Sequence, residues 1–153
     1  MSIQTQLAED MKAAMKAGDT VTRDAVRLIR SAVGNAVIDQ GAKDGVLSDE
    51  AVTGVLAKMA KQYRDSIETY RAANRQDLVD KEQAELDVVL RYLPEQLEEA
   101  AVRALVVKAI AQTGADGPAA KGKVMGELMP QVKGKADGSL VNRVVTEELA
   151  TLG

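Results

Sequence analysis

The sequence predicts an all-α protein: an N-terminal four-helix bundle-like domain followed by a small C-terminal three-helix domain. Three observations predict it. Apolar residues recur at helical spacing along nearly the whole chain, and no stretch alternates convincingly with period two. Alanine fills 24 of the 153 positions, so the core is built of small side chains that let helices approach closely. Glycine, proline and short polar runs fall between the periodic stretches, where chain reversals are needed.

The elements follow in order. Ile3, Leu7, Met11 and Met15 mark a first helix, opened by Ser2 and stopped at Gly18. Asp19 can cap a second helix, in which Val21, Ala25, Leu28 and Ala32 line one face. Val26, Ile29, Val33 and Val37 line the adjacent face, which places this helix centrally. A loop spans Gly41 to Gly45, and Ser48, Asp49 and Glu50 then open the longest helix with two acids in its first turn. Its stripe is Val52, Val55, Leu56, Met59, Tyr63, Ile67 and Tyr70. A break at Asn74–Gln76 leads to Asp77, expected as the cap of a fourth helix carrying Leu78, Leu86, Val89 and Leu90.

Leu93-Pro94-Glu95-Gln96-Leu97 reads as the domain boundary, because the residue before a proline is pushed out of helical geometry. Domain one is therefore 1–93 and domain two 94–153. The second holds helical stretches near 98–112, 118–130 and 139–151, with Pro118 suited to a first helical turn. Six of the twelve glycines fall between 114 and 138, a concentration the first domain lacks.

Composition excludes much chemistry. Cys, His, Trp and Phe are all absent, and the aromatics are Tyr63, Tyr70 and Tyr92. There is thus no zinc finger, disulfide framework, or Cys–His or Ser–His–Asp catalysis, and no ring platform for stacking bases. Carboxylate sites for Mg²⁺ or Ca²⁺ and lysine chemistry stay formally open. We assign no catalytic residue, no metal site and no cofactor. A net charge of −3 argues against a strongly basic nucleic-acid binder, but not against a local basic patch. No apolar run approaches a membrane span, and the N-terminus lacks the pattern of a signal peptide, so a cytoplasmic location is expected.

Four constellations merit weighing. Residues 77–99 carry eight carboxylates, and Glu82 and Glu85 share a helix face. Such a run is ordinarily a solvated face, with a Mg²⁺ site or an acid–base pair as the rival reading. Tyr63 and Tyr70 read as packing residues with their hydroxyls at the edge. Arg64, Arg71 and Arg75 read either as surface ion pairs with Asp65, Glu68 and Asp77 or as a phosphate-contacting stripe. The fourth is the most informative. Lys121, Lys123, Lys133 and Lys135 face only Glu127 and Asp137 between residues 121 and 138, and Arg143 follows at the start of the last helix. Gly122 and Gly126, four apart, offer close approach to another backbone, and the lysines bracket one short helix. Lysines beside glycines suit backbone–phosphate contact, and a solvated loop with capping glycines is the competing reading.

The string Tyr70-Arg71-Ala72-Ala73-Asn74-Arg75-Gln76-Asp77-Leu78, then Lys81-Glu82-Gln83-Ala84-Glu85 and Tyr92-Leu93-Pro94-Glu95-Gln96-Leu97, resembles the stand-alone YqeY proteins. Gly122-Lys123-Val124-Met125-Gly126 and the run from Lys133 to Asn142 extend the resemblance to the C-terminus. These proteins are similar to the C-terminal region of GatB, the B subunit of the glutamine-dependent tRNA amidotransferase (together, the GatB/YqeY family). There that region is a helical appendage engaging the body of the tRNA. The resemblance implies an accessory tRNA-binding protein linked to glutamine-dependent tRNA amidation. It implies tRNA, and amidotransferase or synthetase subunits, as partners. The alternative is a protein–protein adaptor of such a complex without RNA contact. The family label of carbon–nitrogen ligase with glutamine as amido-N-donor names the whole complex, whose glutaminase and ATP-dependent parts match nothing in this chain. Carried over residue by residue, the RNA-contacting candidates are Lys121, Lys123, Lys133, Lys135, Asn142 and Arg143.

Overall fold

The computed structural model describes residues 1–152. Among them are seven α-helices and no strand, gathered into two compact units that divide between Leu93 and Pro94.

In the first unit, α1 (Ile3–Ala17) opens where the Ser2 hydroxyl accepts the Thr5 N–H, and closes on Gly18 at φ 70°. Helix α2 (Thr20–Asp39) follows at once, capped by the Asp19 carboxylate on the Thr22 N–H. Ser48 caps α3 (Asp49–Ala72) through the Ala51 N–H, and Asp49 and Glu50 complement the dipole.

The expected cap at Asp77 is not what opens α4 (Gln76–Leu90). Asn74 takes a left-handed conformation, φ 56°, and completes the reversal there, so the helix starts earlier with Arg75 at its cap position. Asp77 lies in the first turn, gripped by the Arg75 guanidinium through bonds of 3.1 and 3.0 Å. The helix ends at Leu90, three residues before Leu93 and the proline that follows it. Arg91, Tyr92 and Leu93 instead donate to the carbonyls three residues back, a tightening that satisfies the last turn before Pro94.

The core of this unit joins Leu7 and Met11 of α1, Val26, Ile29 and Val33 of α2, Leu56 and Ile67 of α3, and Leu86 and Val89 of α4. Helix α2 packs against α1, α3 and α4, the central position its two apolar faces imply. The faces are not equivalent, however. Val26, Ile29 and Val33 are buried, whereas Val21 and Leu28 are 51% and 47% exposed. Ala25, between Val21 and Leu28 on the same face, is buried, so periodicity finds both faces but does not say which of their residues the neighbouring helices cover.

In the second unit, α5 (Glu99–Thr113) closes on Gly114 at φ 70°. Pro118 begins a single 3₁₀ turn, Pro118–Ala120, that runs into α6 (Lys121–Val132). Asp137 caps α7 (Gly138–Ala150). The three helices pack pairwise around Val102, Val106, Val124, Leu128, Val144 and Leu149. One expectation fails here. Gly122 and Gly126 do not admit a neighbouring backbone within this chain: a Cβ at either would meet nothing within 4 Å.

Leu56 is fully buried, so Leu56→Ala should cost about 2–5 kcal/mol of stability. Leu28→Ala, on the half-exposed face, should cost less than about 1 kcal/mol. Urea unfolding of the two variants compares them directly, and equal losses would mean that the face assignment of α2 is wrong.

Candidate nucleic-acid interface

Two lysines stand at each end of α6. Lys121 and Lys123 lie in its first turn, and Lys133 and Lys135 follow its last residue, Val132. Lys123, Lys133 and Lys135 are exposed and Lys121 is half-buried. A helix of 12 residues rising 1.5 Å each puts the two pairs about 18 Å apart.

The loop after α6 is held by more than its own turn. Gly134 adopts φ 76°, and the N–H groups of Lys135 and Ala136 both return to the Val132 carbonyl, at 2.9 and 3.1 Å. From the stretch after Pro94, the Leu97 N–H donates to the Lys135 carbonyl at 2.7 Å. The Gln96 side-chain amide donates to the Gly134 carbonyl at 2.9 Å. The boundary segment is therefore also the clamp on the lysine loop. Sequence spacing gave no signal of this, since the paired residues are 38 positions apart.

The cations of this unit fall into two groups. Arg103 of α5 reaches Glu147 and Glu148 of α7, each at 2.7 Å. Arg143 of α7 donates to Glu147 at 3.0 Å and to Glu99 of α5. The two guanidinium groups thus bridge α5 and α7 through three carboxylates. Arg143 lies in mid-helix, not at its start, and Asn142 beside it is exposed. By contrast, no carboxylate pairs with Lys121, Lys123 or Lys135 among the described residues. Arginine's planar fork suits bidentate pairing, and the lysines are left as point charges. Lys121 and Lys123 also oppose the positive end of the α6 dipole, so helix stability does not explain their position.

The other candidates lie in the first unit. Arg71 pairs with Glu68 at 2.5 Å and Arg75 with Asp77 at 3.0 Å, so these two follow the ion-pair reading. Tyr92 donates its hydroxyl to Asp10 at 2.5 Å, and burial, with that bond, pushes the phenol well above its ordinary range. Tyr63 and Tyr70 pack at the edge of the core. Glu82 and Glu85 do lie near one another. Among the described residues, though, no group of three carboxylates is placed to hold a metal ion. Among the described residues, no helix is long and apolar enough to cross a membrane.

The family profile described as "Yqey-like protein" matches residues 4–149. The chain belongs to the YqeY-like family. Among curated relatives it is similar to the "Altered inheritance of mitochondria protein 41, mitochondrial" of Pyrenophora tritici-repentis, 34% identical over 145 residues. That match covers 93% of this chain and 78% of the relative. The proteins of the same name from Candida glabrata and Saccharomyces cerevisiae are each 38% identical, over 90 and 88 residues, and cover 58% and 57% of this chain. The matches span just under half of those yeast proteins, 48% and 46%. These relatives are mitochondrial by name, so the comparisons do not establish the cytoplasmic location expected from the sequence.

The α5–α7 bridge of this YqeY-like protein should respond to acid. Arg143 holds the Glu99 carboxyl below its ordinary value, and Arg103, then Arg143, does the same for Glu147. A carboxyl depressed in the folded state contributes stability above its unfolded value, lost as pH falls through the folded one. Stability of the second unit should therefore decline below about pH 4.5. Arg103→Gln should lose part of that dependence. NMR of the Val144 and Val145 methyls through urea unfolding at several pH values checks this, and parallel curves for the two proteins would remove the bridge as its cause.

Proposed function

We propose that this YqeY-like chain is an accessory tRNA-binding protein linked to glutamine-dependent tRNA amidation. It contacts the RNA backbone through Lys121, Lys123, Lys133 and Lys135. One observation carries the reading: the second unit commits its arginines to carboxylates and keeps lysines at both ends of one helix without carboxylate partners at Lys121, Lys123 and Lys135. Two pairs about 18 Å apart fit phosphates several nucleotides apart on a polymer better than a single phosphoryl group. The clamp of Gln96 and Leu97 on the loop supports a preformed contact surface at Lys133 and Lys135.

The choice of tRNA rests on the resemblance of the sequence to the C-terminal region of GatB. With no Trp, Phe or His, recognition works through shape and backbone instead of stacked bases. Asn142 is exposed and can join the surface as a neutral donor. Arg143 contributes only by exchanging Glu99 and Glu147 for phosphate. We assign the chain no catalytic step, and amide transfer belongs to the catalytic subunits of the complex. The cytoplasmic location is part of the same reading.

Four neutralised phosphates predict modest affinity, with log K falling against log salt at a slope of roughly −3 to −4. Titration of fluorescent tRNA at 50 to 200 mM salt, roughly the range where such contacts weaken, measures the slope. Changing Lys121, Lys123, Lys133 and Lys135 together to Ala should abolish binding, and each single change should reduce the slope by about one. Absence of binding at low salt, or binding unaltered by the fourfold change, would sink the proposal. A cellular partner retained after RNase treatment would favour the adaptor reading.

A further inference from the structure

On the α2 face of Val21, Ala25, Leu28 and Ala32, Ala25 is buried in the core but Val21 and Leu28 are not, and Leu28 borders a groove. Leu28 and Ala32 of α2, Met59, Gln62, Tyr63 and Ser66 of α3, and Glu82 of α4 line a cleft of about 300 Å³. Leu28 is 47% exposed at its rim, and Val21, one heptad earlier on the same helix, is 51% exposed. A large aliphatic side chain open to water at the rim of a cleft lined also by Ala32, Met59 and Tyr63 suits a helix-in-groove contact, in which a docking helix inserts its apolar anchors.

The charge at the cleft is one-sided. Glu82 forms one wall, and Glu85, one turn further along α4, takes the hydroxyl of Tyr63. No cation pairs with Glu82 or Glu85 among the described residues. Lys81 acts on Glu82 only through space. No lysine or arginine lines the cleft itself, and Arg27 and Lys61, each next in sequence to a lining residue, pair with Asp24 and Asp65. Burial, and then the neighbouring Glu85, raise the Glu82 carboxyl above its ordinary value against the smaller opposing effect of Lys81.

We propose that this groove docks a basic amphipathic helix of a partner protein. Apolar side chains of that helix pack between Leu28 and Met59, and a lysine or arginine meets Glu82 and Glu85. The open rim favours side chains of a macromolecule over an enclosed small ligand, and the unmatched carboxylates exclude a polyanion from this face. The site is independent of the lysine surface, which lies in the other unit.

The test places a photo-crosslinking benzoylphenylalanine at position 28 of the full chain, in cells of its own source, and identifies the joined peptides by mass spectrometry. The expected result is a peptide of another protein with helical apolar spacing and at least one flanking Lys or Arg. Its yield should fall at least fivefold when Glu82→Gln and Glu85→Gln are combined, while Glu9→Gln, at an exposed position of α1, leaves it unchanged. Circular dichroism and thermal melting confirm that the double variant is folded, and removing two like charges should not lower its melting temperature. A crosslink to RNA, to a second copy of this chain or to a segment lacking basic residues overturns the proposal. So does an unchanged yield in the double Gln variant, or no crosslink at all.

Discussion

Everything in this protein depends on burying aliphatic helix faces built without Phe or Trp. The core of the second unit is largely valine: Val102, Val106, Val124, Val132, Val141, Val144 and Val145, with Ala109, Leu128 and Leu149. Valine restricts its own rotamers in a helix and lowers helix propensity by some tenths of a kcal/mol per residue. Such helices persist because packing outweighs propensity, at about 25 cal/mol for each Å² of apolar surface removed from water. With side chains this small, no single residue can dominate either core. Close helix approach, sharp reversals and well-made helix ends become the conditions for stability. The caps at Ser2, Asp19, Ser48 and Asp137 serve that requirement.

The same economy of residue types shapes the electrostatics. Lacking aromatic anchors between α5 and α7, the second unit crosses that seam with guanidinium groups on Glu99, Glu147 and Glu148. These groups are partly or wholly exposed, so the bridge acts mainly as geometry and contributes little as energy. Its larger consequence is what it leaves behind. Once the arginines are engaged, the remaining positive charge of the glycine-rich stretch is carried by lysines at the two ends of α6.

What was legible in the sequence follows from how local each signal is. Ser2, Asp19 and Ser48 announce helix starts because a cap acts over three residues, and Gly18 and Gly114 announce ends for the same reason. Asp77 misled because it is an equally good cap two residues too late, and the left-handed turn at Asn74 had already set the start. Val21 and Leu28 read as part of an apolar face, but periodicity reports a face and not which of its residues a neighbour covers. Gly122 and Gly126 read as a packing contact, but the close approach they permit is not used inside the chain. At the candidate interface the lysines and their positions were visible. The pairing of Arg143 with Glu99, 44 residues away, and the hold of Gln96 and Leu97 on the lysine loop were not, since both are tertiary.

Two surfaces of opposite character therefore lie on two separately cored units: an apolar groove edged by carboxylates in the first, and lysines at the two ends of α6 in the second. Neither is large. The proposed phosphate contacts are few and would give weak, salt-sensitive binding, and a cleft of about 300 Å³ holds only a few side chains. Weak sites joined in one chain act differently from weak sites alone. When one is occupied, the other meets its ligand at a raised effective concentration, and the combined affinity can exceed either by orders of magnitude without a new contact. If both proposed surfaces bind, this linkage, and not the strength of either one, sets the affinity of the chain.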